Sequence, residues 1–147
     1  MSKIKLLLVD DHAVVRGGLR MLLENENDLE IVGEASNGQQ AIDLAHLLAP
    51  DIVIMDITLP DISGIEATRQ LKQFNPQIGV VALTIHEDQQ YFFEMLQVGA
   101  SAYVPKRAAP DDLITAIRTV QRGEVYIYPS LAKLLVNDFL SRSAEET

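Results

Sequence analysis

Ile52-Val53-Ile54-Met55-Asp56 is an unbroken apolar run that stops on a carboxylate. Apolar residues at consecutive positions, with no polar alternation, suit a strand covered on both faces, and such strands belong to parallel sheets. Pro50 precedes the run, and Pro60-Asp61-Ile62-Ser63-Gly64 reads as a turn behind it. Three more runs have the same build. Leu6-Leu7-Leu8-Val9 ends in Asp10-Asp11, Val80-Val81-Ala82-Leu83 ends in Thr84, and Ala102-Tyr103-Val104-Pro105 ends in Lys106. Parallel alignment of the four would gather three carboxylates, a hydroxyl and an ammonium at one edge of a sheet.

Between these runs the apolar period changes to that of helices. Ile4 to Val9 is expected as the first strand and Val14 to Leu23 as the first helix, with Val15, Leu19, Leu22 and Leu23 on one stripe. Glu30 to Ala35 is a less hydrophobic strand. Asn37 caps a helix from Gln39 to Leu48, which Pro50 stops. Helices from Ile65 to Phe74, Asp88 to Val98 and Asp111 to Arg122 follow the strands Ile52 to Met55, Gly79 to Leu83 and Ser101 to Val104, with Gly99 and Gly123 closing the last two helices. Strands alternating with helices imply right-handed crossovers. The expected fold is α/β, a flavodoxin-like doubly wound five-stranded parallel sheet of order 2-1-3-4-5 with helices on both faces. Ligands bind in such sheets at the carboxyl ends of the strands, near the switch point between strands 1 and 3, where Asp10, Asp11 and Asp56 fall. After Gly123 the alternation stops. Val125 to Tyr128 reads as extended, Leu131 to Leu140 as a helix, and the polar tail from Ser141 to Thr147 as frayed.

The 147 residues suit one domain with a short appendage. A hydrophobic share of 48% against 22% charged residues is that of a globular chain. The absence of Cys excludes disulfides, thiolate nucleophiles and zinc-thiolate sites. The apolar runs are too short to span a bilayer, and the N-terminus lacks a signal-peptide pattern, so the expected location is cytoplasmic, with no membrane partner. A net charge of −9, with the 12 Lys and Arg scattered, argues against direct DNA binding by these residues.

An aspartate can form an acyl phosphate, provided the approach of two anions is neutralised and aligned. Mg²⁺ (or Mn²⁺) suits that task, with oxygen ligands from one or two carboxylates and waters. Asp11 and Asp56 are expected to ligate it directly together with the backbone carbonyl of Thr58, and Asp10 through water. Lys106 pairs with the phosphoryl oxygens as a point charge, and Thr84 donates a hydrogen bond to them.

The chain resembles the receiver domains of two-component response regulators from Lys3 to about Gly123. The resemblance rests on Val9-Asp10-Asp11-His12, Met55 to Gly64, Leu83-Thr84 and Tyr103-Val104-Pro105-Lys106, in that order. Asp11 to Leu19 and Gly33 to Gly38 are similar to the NarL/FixJ subfamily, whose output domain is of LuxR type. The resemblance implies that Asp56 accepts phosphate from a sensor histidine kinase and that Asp10 and Asp11 form the metal pocket. It further implies that Lys106 binds the phosphoryl group and that Thr84 and Tyr103 are a switch pair. Phosphorylation would then reshape the surface of helix 4, strand 5 and helix 5, with a homodimer as one outcome. Thr58 and His86 flank the path of an attacking water and are candidates for tuning the lifetime of the phosphorylated state. His12 and His46 read as packing or surface residues. A cis bond before Pro105 is also expected, as is a kinase contact made by Val14, Arg16, Gly18, Met21 and the loop from Pro105 to Asp111.

The implied organisation is a receiver over residues 1–123 and a linker helix over 124–147, leading to an absent C-terminal DNA-binding domain that regulates transcription. Such a chain is no enzyme beyond its own phosphotransfer and dephosphorylation. A stand-alone receiver acting through protein contacts is the alternative. A Mg²⁺-dependent aspartyl-phosphate phosphatase would place a second acid two residues after the nucleophile, where Thr58 stands. A flavin-binding module would need a Ser/Thr-rich phosphate loop after the first strand, where Asp10-Asp11 stands.

Overall fold

The computed structural model describes residues 2–85 and 89–146. Its elements, in chain order, are β1 (Ile4–Val9), α1 (Ala13–Glu24), β2 (Leu29–Ala35), α2 (Gly38–Leu48), β3 (Ile52–Asp56), α3 (Gly64–Phe74), β4 (Gly79–Thr84), α4 (Gln89–Gln97), β5 (Ala102–Pro105), α5 (Pro110–Gln121), β6 (Tyr126–Ile127) and α6 (Pro129–Glu146). All strand pairs are parallel, in the order β2-β1-β3-β4-β5-β6. The flavodoxin-like order is the expected one, but the sheet has a sixth strand. Tyr126 donates its N–H to the Ser101 carbonyl at 2.9 Å, and Tyr128 donates to the Tyr103 carbonyl at 3.2 Å. These bonds satisfy a β5 edge that would otherwise face solvent.

Alternate residues of each strand feed two separate cores, as the two-residue period requires. Leu7, Val9, Val53, Met55, Val80, Ala82 and Tyr103 pack under α2, α3 and α4, where Leu131 of α6 joins them. Leu6, Leu8, Ile52, Ile54, Val81, Leu83, Ala102 and Val104 pack under α1 and α5. The runs are apolar throughout because both faces are covered. Helix starts follow local chemistry: the Asn37 side chain accepts from the Gln40 N–H, and the Ser63 side chain accepts from the Glu66 N–H.

Two other expectations are corrected. No cis peptide bond occurs among the described residues, so the bond before Pro105 is trans. Pro105 still lies within β5, paired with Thr84, and an extended strand accommodates the favoured isomer. The tail beyond Ser141 is helical to Glu146 rather than frayed, with Arg142 and Asp138 paired at 3.0 Å one turn apart.

Candidate functional site

β1 and β3 are neighbours and β4 separates β3 from β5, yet residues at or just past the carboxyl ends of β1, β3 and β5 meet. Asp10 and Asp56 are both buried, at 2% and 5% exposure, while Asp11 is open to solvent. The Lys106 ammonium lies 2.7 Å from Asp10 Oδ2 and 3.3 Å from Asp56 Oδ2. The topology thus joins residues 96 positions apart. The Thr58 N–H donates to Asp56 Oδ1 at 3.1 Å, and the His12 N–H donates to Asp10 Oδ1 at 2.8 Å. Thr84 is buried at the end of β4, one residue beyond Leu83, the register partner of Asp56. Its carbonyl accepts the Lys106 N–H at 2.7 Å. Tyr103 lies fully inside, edge-on to Phe92 with ring centroids 5.0 Å apart.

Burial pushes the Asp56 carboxyl above its ordinary range, and the neighbouring Asp10 charge adds to the shift. Lys106 and the Thr58 N–H oppose it without cancelling it. Burial also disfavours the Lys106 ammonium, but its hydrogen bond to Asp10 and the charges of Asp56 and Asp10 outweigh that and raise it. Lys106 therefore stays charged while Asp56 is an electrostatically strained anion.

Three carboxylates face one lysine, so ionised they leave the pocket with excess negative charge. Oxygens of Asp10, Asp11 and Asp56, with a ring nitrogen of His12, all lie within 4.8 Å of one another. That donor set fits a hard divalent cation, which takes carboxylate oxygens and relieves exactly this charge imbalance.

Several contributors were not legible as such in the sequence. Arg16, expected on a docking surface, turns inward: Nη1 donates to the Asp10 carbonyl at 2.5 Å and Nε to Glu34 Oε1 at 3.2 Å. With the Asp10 N–H held by the Ala35 carbonyl at 3.1 Å, the acidic turn is pinned from both sides. Asp61 accepts from the N–H groups of Gly38 and Gln39, tying the turn after β3 to the start of α2. Gly64 lies against the backbone of β3, where a Cβ would stand 2.8 Å from Ile57 Cα and collide with the Asp56 carbonyl. The Asp-Asp-His tripeptide and the glycine after a Pro-Asp turn were the available signals. His12 reads differently too: its Nδ1 stands 3.0 Å from Asp11 Oδ1 and 3.3 Å from Asp10 Oδ1, so it belongs to the pocket's rim. His86 lies outside the described residues.

Residues 6–118 match the response regulator receiver domain. This chain belongs to the response regulator receiver family. Among its relatives, the oxygen regulatory protein NreC of Staphylococcus aureus (strain JH9) is 39% identical over 145 residues, covering 98% of this chain and 67% of NreC. The transcriptional regulatory protein DegU of Brevibacillus brevis is 36% identical over 138 residues, covering 94% of this chain and 58% of DegU. A LuxR-family two-component response regulator from Aurantimonas sp. SI85-9A1 superposes with a TM-score of 0.90 at 34% identity, covering 95% of this chain and 99% of that one. The isolated receiver domain of RcsB from Salmonella enterica serovar Typhimurium, in a structure with phosphomimetic BeF3−, superposes with a TM-score of 0.83 at 25% identity, covering 90% and 99%. The receiver is thus of the NarL/LuxR type. Receivers are signalling proteins rather than classical enzymes. Among the described residues no helix is long and apolar enough to cross a membrane.

Proposed function

We propose that this receiver takes a phosphoryl group from a sensor histidine kinase onto Asp56 and passes the change to an output domain that regulates transcription. The observation that carries the reading is Lys106 bridging Asp10 and Asp56 at the ends of three strands. Asp56 is the nucleophile: a carboxylate oxygen bonds to phosphorus as the P–N bond of the phosphohistidine breaks and the imidazole leaves. Burial destabilises the Asp56 anion, and forming the acyl phosphate moves the negative charge off the carboxylate onto phosphoryl oxygens that Lys106 can pair with. Lys106, already charged and 3.3 Å away, stabilises the phosphoryl oxygens without needing a proton to arrive. Asp10, Asp11, Asp56 and the Thr58 carbonyl would hold Mg²⁺ or Mn²⁺, which when bound supplies charge neutralisation and alignment of the transferred group.

Thr84 supplies the hydroxyl that can follow the phosphate, and Tyr103 is the aromatic partner on the neighbouring strand. The inward position of Tyr103 matches the ring orientation expected once Thr84 has moved towards a phosphate. The equilibrium between ring positions is what phosphorylation would bias. Val14, Met21 and the apolar groove between α1 and the loop before α5 are open beside the site and suit a helical kinase surface. Thr58, exposed two residues after Asp56, stands where it can set the lifetime of the acyl phosphate. Residues 1–123 act as the receiver and 124–147 as the arm that connects it to a LuxR-type DNA-binding domain. The greater length of NreC and DegU supports that organisation.

Incubation with acetyl phosphate and Mg²⁺, followed by intact mass measurement, tests the reading. A single phosphate's mass gain that needs a divalent cation and disappears in Asp56→Asn is expected. An equal gain in Asp56→Asn would overturn it.

A further inference from the structure

We propose that His12 is an additional ligand of the acidic pocket and tilts its metal preference from Mg²⁺ towards late first-row divalent cations such as Co²⁺ and Zn²⁺. The inference rests on the reading of Asp10, Asp11 and Asp56 as a metal site. It concerns a nitrogen donor that this reading does not include.

Three observations carry it. His12 Nδ1 lies 3.0 Å from Asp11 Oδ1 and 3.3 Å from Asp10 Oδ1. Metal–ligand bonds of about 2.1 Å at right angles place neighbouring donor atoms about 3 Å apart, so the separation from Asp11, a direct ligand in that reading, matches one edge of an octahedron. Asp56 offers an oxygen within the same 4.8 Å span, so the nitrogen belongs to the cluster that Asp56 completes. The approach is also built into the backbone. The His12 N–H is held by Asp10 Oδ1 at 2.8 Å, which fixes the residue against the carboxylates, while the side chain remains 68% exposed and open to an arriving ion.

The chemistry then discriminates among metals. Mg²⁺ prefers oxygen and keeps its waters, so an imidazole adds little to its binding. Co²⁺ and Zn²⁺ accept imidazole readily and stand higher in the affinity order for mixed nitrogen and oxygen sites. A His12 that only hydrogen-bonds to Asp10 and Asp11 would change the binding of all divalent ions by a similar factor, because it would act through the carboxylates they share. Nitrogen ligation changes their ratio.

The test is titration calorimetry of the whole chain with MgCl₂, CoCl₂ and ZnCl₂ at one fixed pH, for the wild type, His12→Ala and His12→Gln. The visible absorption of bound Co²⁺ is recorded alongside. Glutamine keeps a polar side chain of similar reach but offers an amide oxygen in place of the ring nitrogen, and a melting curve confirms that each variant is folded. Both variants are expected to lose about tenfold or more in Co²⁺ and Zn²⁺ affinity while Mg²⁺ affinity stays within about twofold, and the Co²⁺ spectrum should change. Equal shifts for all three ions, or retention of Co²⁺ affinity and spectrum in His12→Gln, would overturn the ligation. If Mg²⁺ binding and phosphorylation of Asp56 persist in that case, only this inference falls. Failure of the wild type to bind any of the three ions would remove the pocket itself as a metal site.

Discussion

Asp56 is held as an anion at an energetic cost that its neighbours only partly offset. Its carboxyl is raised by burial and by Asp10, so the folded state binds its proton more tightly than the unfolded chain does. The sign follows: stability is favoured on the acid side and is lost as pH rises from the ordinary carboxylate value through the raised one. Asp56→Asn removes the charge and is expected to raise the melting temperature at neutral pH by roughly 2–4 °C, the shift that about 1 kcal/mol produces in a domain of this size. The gap to the wild type should narrow as the pH falls and Asp56 is protonated, and melting curves across that range would show it. A gap that widened in acid would contradict the direction of the shift. Gly64 is a second sensitive position, since a methyl there would press on the Asp56 carbonyl and on Ile57, both backbone atoms that cannot swing aside. Gly64→Ala is expected to cost about 1–3 kcal/mol in a urea titration, as overpacking does, and to weaken Mg²⁺ binding by moving Asp56.

β6 and α6 pack onto the sheet and its core as well as extending the chain beyond them. Leu131 is buried in the core that the strands share with α2, α3 and α4, and Ile127, Tyr128, Leu134 and Leu135 pack against that core. Leu131→Ala should therefore cost about 2–3 kcal/mol, the scale of a buried leucine truncation, whereas Leu140→Ala, at an exposed position, should change a denaturant midpoint little. Equal effects would mean that α6 is not docked. The alternating elements were readable because each carries its own period, and the four two-sided strands because their apolar runs are unbroken. Tyr126-Ile127 was readable only as extended, since a strand of two residues is defined by its partner, here Ala102 and Tyr103, rather than by any pattern of its own. Tyr128 shows a further tie: its ring lies under the Arg107 guanidinium, 5.4 Å from the centroid, and Arg107 Nη2 is 3.4 Å from Ser130 Oγ. Arg107 follows Lys106 directly, so the start of α6 is tied to the residue beside the pocket.

Across the whole molecule, the site is a product of topology. Asp10, Asp56 and Lys106 were readable because a parallel sheet brings strand ends together whatever lies between them. Arg16, Gly64 and His12 were not, because their roles depend on where a helix face or a turn comes to rest against those ends. The resulting excess of negative charge predicts that a divalent cation stabilises the fold: Mg²⁺ at about a hundred times its Kd should add ~2.7 kcal/mol to the wild type, and less to Asp11→Asn at the same concentration. Thermal melts with and without MgCl₂ would show this, and an equal gain in both proteins would place the ion elsewhere. The most direct test of Asp56 as the phosphoryl acceptor is to treat the acetyl phosphate-labelled chain with borohydride, which reduces an aspartyl acyl phosphate to homoserine, and to sequence the peptides by mass spectrometry. Homoserine in place of Asp56, and at no other aspartate, is the expected result. Homoserine at Asp10 or Asp11, or a phosphate carried on a histidine instead, would contradict it.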